Sequence, residues 1–273
     1  MTGKIKVMSI FGTRPEAIKM APVVMELSRH TDAIETRTLV TAQHREMLDQ
    51  VLHLFHIVPD YDLNIMAAGQ TLFDITTRAM LGINEVFGQE RPDLVLVHGD
   101  TTTTFAGALA AYYHQIPVGH VEAGLRTHDI YSPFPEEMNR RLTGGIATLH
   151  FAPTPTAHAN LLAEGVPERR IFVTGNTVID ALHHIVRPDY VLPTELAGVD
   201  FANHRVLLVT THRRENLGEP MRHVYRAIRS IIEQMDDVEV VFPVHRNPKV
   251  REIVREELGG LAHVHLIEPL DYE

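Results

Sequence analysis

The sequence predicts an α/β protein, with a parallel sheet wrapped by helices and then a second α/β unit too short in strands to be complete. Three observations carry this reading. Short apolar runs alternate with helical patterns from the first residues onward, the mark of βα units joined by right-handed crossovers. Several apolar runs end at a glycine or a carboxylate where a helical pattern opens. The alternation restarts after an irregular stretch at 187–204 that holds Pro188 and Pro193.

Taken in order, strands are expected near 5–11, 36–41, 94–98, 117–121, 148–152 and 171–174. Helices are expected near 15–30, 43–55, 70–88, 101–114, 136–145 and 155–164. The stretch Arg187–His204 reads as a loop or short helix near a domain junction. Beyond it, Arg205-Val206-Leu207-Leu208-Val209-Thr210 opens a new strand. A helix follows near 220–235, then a strand at 238–242, a helix at 248–258 and a strand at 263–267. Two or three strands are fewer than a doubly wound domain uses, so the second domain is expected to be incomplete.

Length and composition set limits. At 273 residues the chain fits roughly two domains of about 150 residues each. The absence of cysteine removes disulfides, thiolate nucleophiles and cysteine zinc sites together. A net charge of -10 without a basic run argues against nucleic acid, which calls for a basic face. No apolar run reaches the eighteen or so residues that span a membrane, and the N-terminus enters a strand pattern directly. The expectation is a soluble cytoplasmic protein with neither membrane nor nucleic-acid partners. The 18 histidines by number alone argue nothing, and no metal site is expected.

Four stretches have the make-up of chemical sites, each beside a plainer reading. At 11–19, Gly12 permits a sharp turn and Pro15 suits a first helical turn. Free amides there favour an anion, with Arg14 and Lys19 adding charge, although both would equally serve as solvated cations. Neither G-x-G-x-x-G nor the Walker pattern is present, so a nicotinamide dinucleotide is poorly supported. Next, Asp100 and Glu122 each follow an apparent strand, at the edge where open parallel sheets bind ligands. Asp100 reads either as a helix cap or as a reactive acid, and Glu122 precedes no clear helix. Then Glu136 stands in a first helical turn, where the helix dipole favours acids whether or not they react. Three converging carboxylates would repel and raise at least one pKa toward neutrality. Last, Thr211-His212-Arg213-Arg214 follows a strand and reads as a charged loop or as a diphosphate site with forked donors. His245 lies similarly beyond the strand at 238–242.

These stretches closely resemble one family, the non-hydrolysing UDP-N-acetylglucosamine 2-epimerases. The resemblance rests on FGTRPEAIKMAP (11–22), TAQHREMLD (41–49), VHGDTTTT (97–104), GHVEAGLRT (119–127), SPFPEE (132–137), TGNTVIDAL (174–182) and THRRENLG (211–218). It runs from about residue 5 to the last residue.

The resemblance implies a glycosyltransferase-B-like architecture of two Rossmann-like domains, with the sugar nucleotide in the cleft between them. The expected division is an N-terminal domain at 1–175 with the acid/base residues and a partial C-terminal, UDP-binding domain at 176–273. The implied partners are UDP-N-acetylglucosamine, UDP and a second copy of the chain in a homodimer; no cofactor is implied. The implied reaction eliminates UDP across carbons 1 and 2 to give a 2-acetamidoglucal. UDP then adds back with a proton on the other face, giving UDP-N-acetylmannosamine for cell-surface polysaccharides. Asp100, Glu122 and Glu136 become the acid/base group, and His212 acts at the diphosphate or in proton transfer. Arg14, Lys19 and Arg213 become substrate-binding residues. Gln43, His44, Glu136, Arg213 and His245 match positions of a regulatory UDP-N-acetylglucosamine site, while Glu46 and Gly69 depart from it. The family's later Ser-Gly-Gly turn and nearby Glu have no counterpart here, so the chain reads as truncated and, in this form, inactive. The alternatives are a hydrolysing 2-epimerase, which shares the elimination, and a non-catalytic nucleotide-sugar-binding module.

Overall fold

A computed structural model describes residues 3–42, 45–211, 216–270 and 272–273. It divides into two compact units, Met1–Ile185 and Val186–Glu273.

The first unit contains β1 (Ile5–Phe11), α1 (Arg14–Arg29), β2 (Ile34–Val40), α2 (Arg45–Leu54), β3 (Tyr61–Asp62), α3 (Leu72–Gln89), β4 (Leu94–His98) and α4 (Thr102–Tyr113). It continues with β5 (Val118–Val121), α5 (Glu136–Ile146), β6 (Leu149–Ala152), α6 (Pro155–Ala163), β7 (Ile171–Val173) and α7 (Thr177–Ile185). The seven strands lie in the order β3-β2-β1-β4-β5-β6-β7, every pair parallel. Helices on both faces bury both sides of the central strands, which is why they read as continuous apolar runs. Met8, Ile10, Leu39, Val95, Val97 and Val118 meet Ile75, Ala79, Ile83, Val86 and Phe87 of α3 and the alanines of α4 in the main core. The order reverses between β1 and β4, and the loops leaving those two strands form the switch point where such sheets bind ligands.

Two elements differ from the sequence reading. β3 is only two residues long and was not anticipated, as so short a strand leaves no periodic signal. α7 was also missed. It buries Ala181 and Ile185, four apart, and packs against α1. The contact with α1 places α7 in the first unit, so the units divide after Ile185 rather than at the expected 175/176 boundary. The irregular stretch 187–204 holds one short 3-10 turn at Thr194–Leu196, at the start of the second unit.

In the second unit β8 (Arg205–Leu208), α8 (Glu219–Gln234), β9 (Val238–Pro243), α9 (Pro248–Leu258) and β10 (Val264–Ile267) build a parallel sheet ordered β10-β9-β8. Its core joins Val240 and Phe242 of β9 to Met221, Tyr225 and Ile232 of α8 and to Val250, Val254 and Leu258 of α9.

At one end of the first sheet Glu90 ties three strands to the end of α3. It accepts from Lys6 Nζ at 2.6 Å, Tyr61 Oη at 2.8 Å and Arg37 Nε at 3.0 Å. Burial alone would raise its pKa, but the bonds from Lys6, Tyr61 and Arg37 outweigh it and hold the carboxyl at about 2, against an ordinary 4.5. A depressed carboxylate stabilises fully above its unfolded pKa and loses that contribution as pH falls through the folded value. Glu90→Gln should therefore be less stable than wild type at neutral pH, with the gap closing between about pH 4.5 and 2. Denaturant titrations at a series of pH values check this; a gap independent of pH would refute it.

Candidate active site

The loops leaving β1 and β4 are locked together by one buried carboxylate. Glu16, in the first turn of α1, accepts from the Gly12 amide at 3.0 Å and from the Thr13 amide at 2.8 Å. Its other oxygen accepts from Thr101 Oγ1 at 2.6 Å and Thr104 Oγ1 at 3.0 Å. Burial raises its pKa, partly offset by the bonds from Thr101, Thr13, Gly12 and Thr104. The threonine run at 101–104 is thereby explained. Thr101 caps α4 by accepting from the Thr104 amide, Thr103 bonds Thr41 across 2.9 Å, and the single Thr104 hydroxyl hydrogen is shared between Glu16 and the His98 carbonyl. Gly12 must be a glycine, because a Cβ there would collide with the Thr41 and Thr103 hydroxyls.

Glu122 follows β5 in a left-handed turn at φ 61°. Its Oε1 receives Lys19 Nζ at 2.5 Å, from α1, and Asn176 Nδ2 at 2.9 Å, from just before α7. Its Oε2 lies 3.8 Å from His98 Nε2, at the end of β4. Burial is the main cause holding His98 near pKa 3, with Lys19 adding repulsion, so the ring is neutral. Gly124, at φ 89°, completes the turn where α6 passes, and a Cβ there would strike the Ala157 carbonyl. The shape of the Glu122 turn is thus set by packing, and its carboxylate by three polar neighbours.

Asp100 does not cap α4, since Thr101 does. Its carboxylate accepts from Arg140 at 2.6 Å, and its carbonyl accepts from Asn139 Nδ2 at 2.9 Å. Both donors come from α5, one turn beyond Glu136. Arg140 is itself fixed by Glu137, a fully buried acid that also accepts from the Thr127 and His128 amides and from Arg141. Burial would raise the Glu137 pKa, but the Thr127 amide, Arg140, the His128 amide and Arg141 together hold it low. Glu136 opens α5, with one carboxylate oxygen buried and without a hydrogen-bond partner among the described residues.

Beneath these acids His120 donates from Nε2 to the Gly99 carbonyl at 2.7 Å, bracing the β4–α4 turn. Burial holds it neutral, near pKa 3. Three carboxylates thus stand on adjoining elements, two of them each held by a basic residue from another helix. Such an arrangement can exchange protons with a bound molecule while keeping each acid in a fixed place.

Of the other candidates, Arg14 opens α1 and is partly buried. His245 lies in the second unit between β9 and α9, its Nδ1 accepting from the Asn247 amide at 3.1 Å. Gln43, His44, His212 and Arg213 lie outside the described residues.

The family model described as UDP-N-acetylglucosamine 2-epimerase matches residues 25–273. The chain belongs to the UDP-N-acetylglucosamine 2-epimerase family. It is 59% identical over 269 residues to the UDP-N-acetylglucosamine 2-epimerase of Bacillus subtilis, covering 98% of this chain and 70% of the relative. It also resembles a solved structure of a putative UDP-N-acetylglucosamine 2-epimerase from Listeria monocytogenes, with a TM-score of 0.91, 59% identity, and coverage of 98% and 70%. A third match is the UDP-GlcNAc 2-epimerase of Neisseria meningitidis, solved bound to UDP-GlcNAc. Its TM-score is 0.84 at 48% identity, with coverage of 98% of this chain and 70% or more of that one, at 73%.

Membership bears out the resemblance and the expected glycosyltransferase-B-like class of two Rossmann-like units. Among the described residues no helix is long and apolar enough to cross a membrane. Within this 2-epimerase chain the sequence reading overlooked Glu16, His98, Glu137, Arg140 and Asn176 as site-builders. Each lies inside or beside a quoted motif, but its partner is brought to it by the fold, as with Asn176 and Glu122, 54 apart, and Arg140 and Asp100, 40 apart.

Proposed function

We propose that this chain carries the acid/base residues of an enzyme that interconverts UDP-N-acetylglucosamine and UDP-N-acetylmannosamine by eliminating and re-adding UDP. The observation that supports it most is the pairing of Glu122 with Lys19 and of Asp100 with Arg140 at adjoining strand ends. Inverting carbon 2 requires proton removal on one face and delivery on the other, so two acids held apart by separate cations suit the task. Glu136 supplies a third carboxyl oxygen that no described group engages. His212 and Arg213 would stabilise the charge that grows on the departing diphosphate, with Arg14 and Lys19 binding the substrate. Gln43, His44 and His245 would serve a regulatory nucleotide-sugar site. The Neisseria relative with UDP-GlcNAc bound supports the choice of substrate.

The test is product analysis after incubation with UDP-N-acetylglucosamine. A protein spanning the relatives' full length should yield UDP-N-acetylmannosamine. Release of free N-acetylmannosamine with UDP would establish the hydrolysing reaction instead. The 273 residues, which cover 70% of the Bacillus relative, should alone give no measurable turnover. Binding energy from the nucleotide normally positions the reacting sugar, so a partial nucleotide site lowers rate as well as affinity. Full turnover by the 273-residue chain would overturn that expectation.

A further inference from the structure

At the other end of the second unit's sheet, away from the carboxyl ends of its strands, three histidines surround one acid. Glu239 is the second residue of β9, the central strand, and is buried among apolar neighbours. A carboxylate in that position is costly unless its oxygens are engaged. His204, just before β8, places Nδ1 3.0 Å from Oε1. His263, just before β10, places Nδ1 3.8 Å from the same oxygen. His265, on β10, hydrogen-bonds Oε2 through Nε2. The His204 and His263 rings meet edge to face with centroids 5.5 Å apart. One donor atom each from His204, Glu239 and His263 lie within 4.8 Å of one another.

We propose that His204, Glu239 and His263 form a binding site for a borderline transition-metal ion, with zinc as the best fit. Bonds of about 2.0–2.2 Å to imidazole nitrogen and carboxylate oxygen place tetrahedral ligand atoms roughly 3.3–3.5 Å apart. The separations of 3.0 and 3.8 Å bracket that spacing, so small side-chain rotations close the triad around an ion. Two imidazoles and one carboxylate give the nitrogen–oxygen donor set that zinc takes, with water in the fourth position. His265 on the second carboxylate oxygen orients the acid, as outer-shell partners of metal ligands do. The ligands come from the starts of three neighbouring strands, so the ion would pin β8, β9 and β10 at one end. Its role is structural, since these residues lie at the amino ends of the strands.

The test uses the whole 273-residue chain, stripped with a chelating resin. Zinc chloride is titrated by calorimetry, and cobalt chloride by visible absorption. The expected result is one ion per chain at micromolar affinity or better, a tetrahedral cobalt spectrum, and a zinc-dependent rise in melting temperature. His204→Ala and His263→Ala should each weaken binding by about 10-fold or more. His263→Gln, at the more exposed position, leaves the two nearer histidines on Glu239 and covers the case in which an alanine variant fails to fold. No stoichiometric binding by wild type would overturn the proposal. So would zinc affinity unchanged in the folded His263→Gln chain, which would place the ion among other histidines.

Discussion

Glu122→Gln is expected to lower epimerisation by about 10²-fold or more, the usual scale for losing a general acid or base. The substitution keeps the size of the side chain and removes its charge and its proton-accepting power. Lys19 Nζ, 2.5 Å from Oε1, would lose its anionic partner, and Asn176 would face an amide that can be turned either way. His98, held unprotonated by burial, offers Lys19 no anion in place of the lost carboxylate. Asp100→Asn should act on the same scale, as it removes the charge and proton-accepting power of the side chain and weakens the bond from Arg140. Both variants belong in a protein of the relatives' full length. Initial rates of UDP-N-acetylmannosamine formation would be read beside solvent deuterium uptake at carbon 2. Loss of exchange together with loss of turnover marks a proton-transfer role. Near-normal turnover in both folded variants would reject the carboxylate assignment.

Much of this was legible in the sequence because of where parallel sheets put chemistry. The runs ending at His98 and Val121 are buried strands, so the acids two and one positions further on had to stand at the ligand-binding edge. What escaped is what depends on tertiary partners. Glu136 and Glu137 are adjacent acids in one helical turn, and nothing local says which is buried. Only the fold shows that Glu137 points inward to the Thr127 and His128 amides while Glu136 keeps a buried oxygen that no described residue engages. Likewise Asp100 sits where a helix cap belongs, and the four following hydroxyls conceal that Thr101 takes the cap. α7 went unread because its nine residues offer two buried anchors, and its register is set by α1 rather than by its own pattern.

Glu137→Ala should be the most damaging single change to the fold of the first unit. Glu137 is fully buried and takes four donors, two of them backbone amides and two of them arginines. Removing one partner of a buried ion pair strands the others, at a cost of about 3–5 kcal/mol. The Arg140 side chain is mostly buried at 14% exposure and, among the described residues, would keep Asp100 alone as its anion. The Thr127 and His128 amides would lose their acceptor, and the loop before α5 its anchor. Glu137→Gln should cost less, since it retains an acceptor for the amides while weakening the arginine bonds. The pH dependence follows from the lowered pKa. The stabilisation from Glu137 is complete above the ordinary carboxylate value of 4.5 and is lost as pH falls through the lower folded value. Denaturant melts of wild type and both variants at neutral and acid pH would show this order. Under the proposed assignment Glu137 would act through Arg140 and Asp100, so in the folded Gln variant the pH profile of turnover should shift along with the rate. An Ala variant as stable as wild type would show that the buried network does not hold the site together.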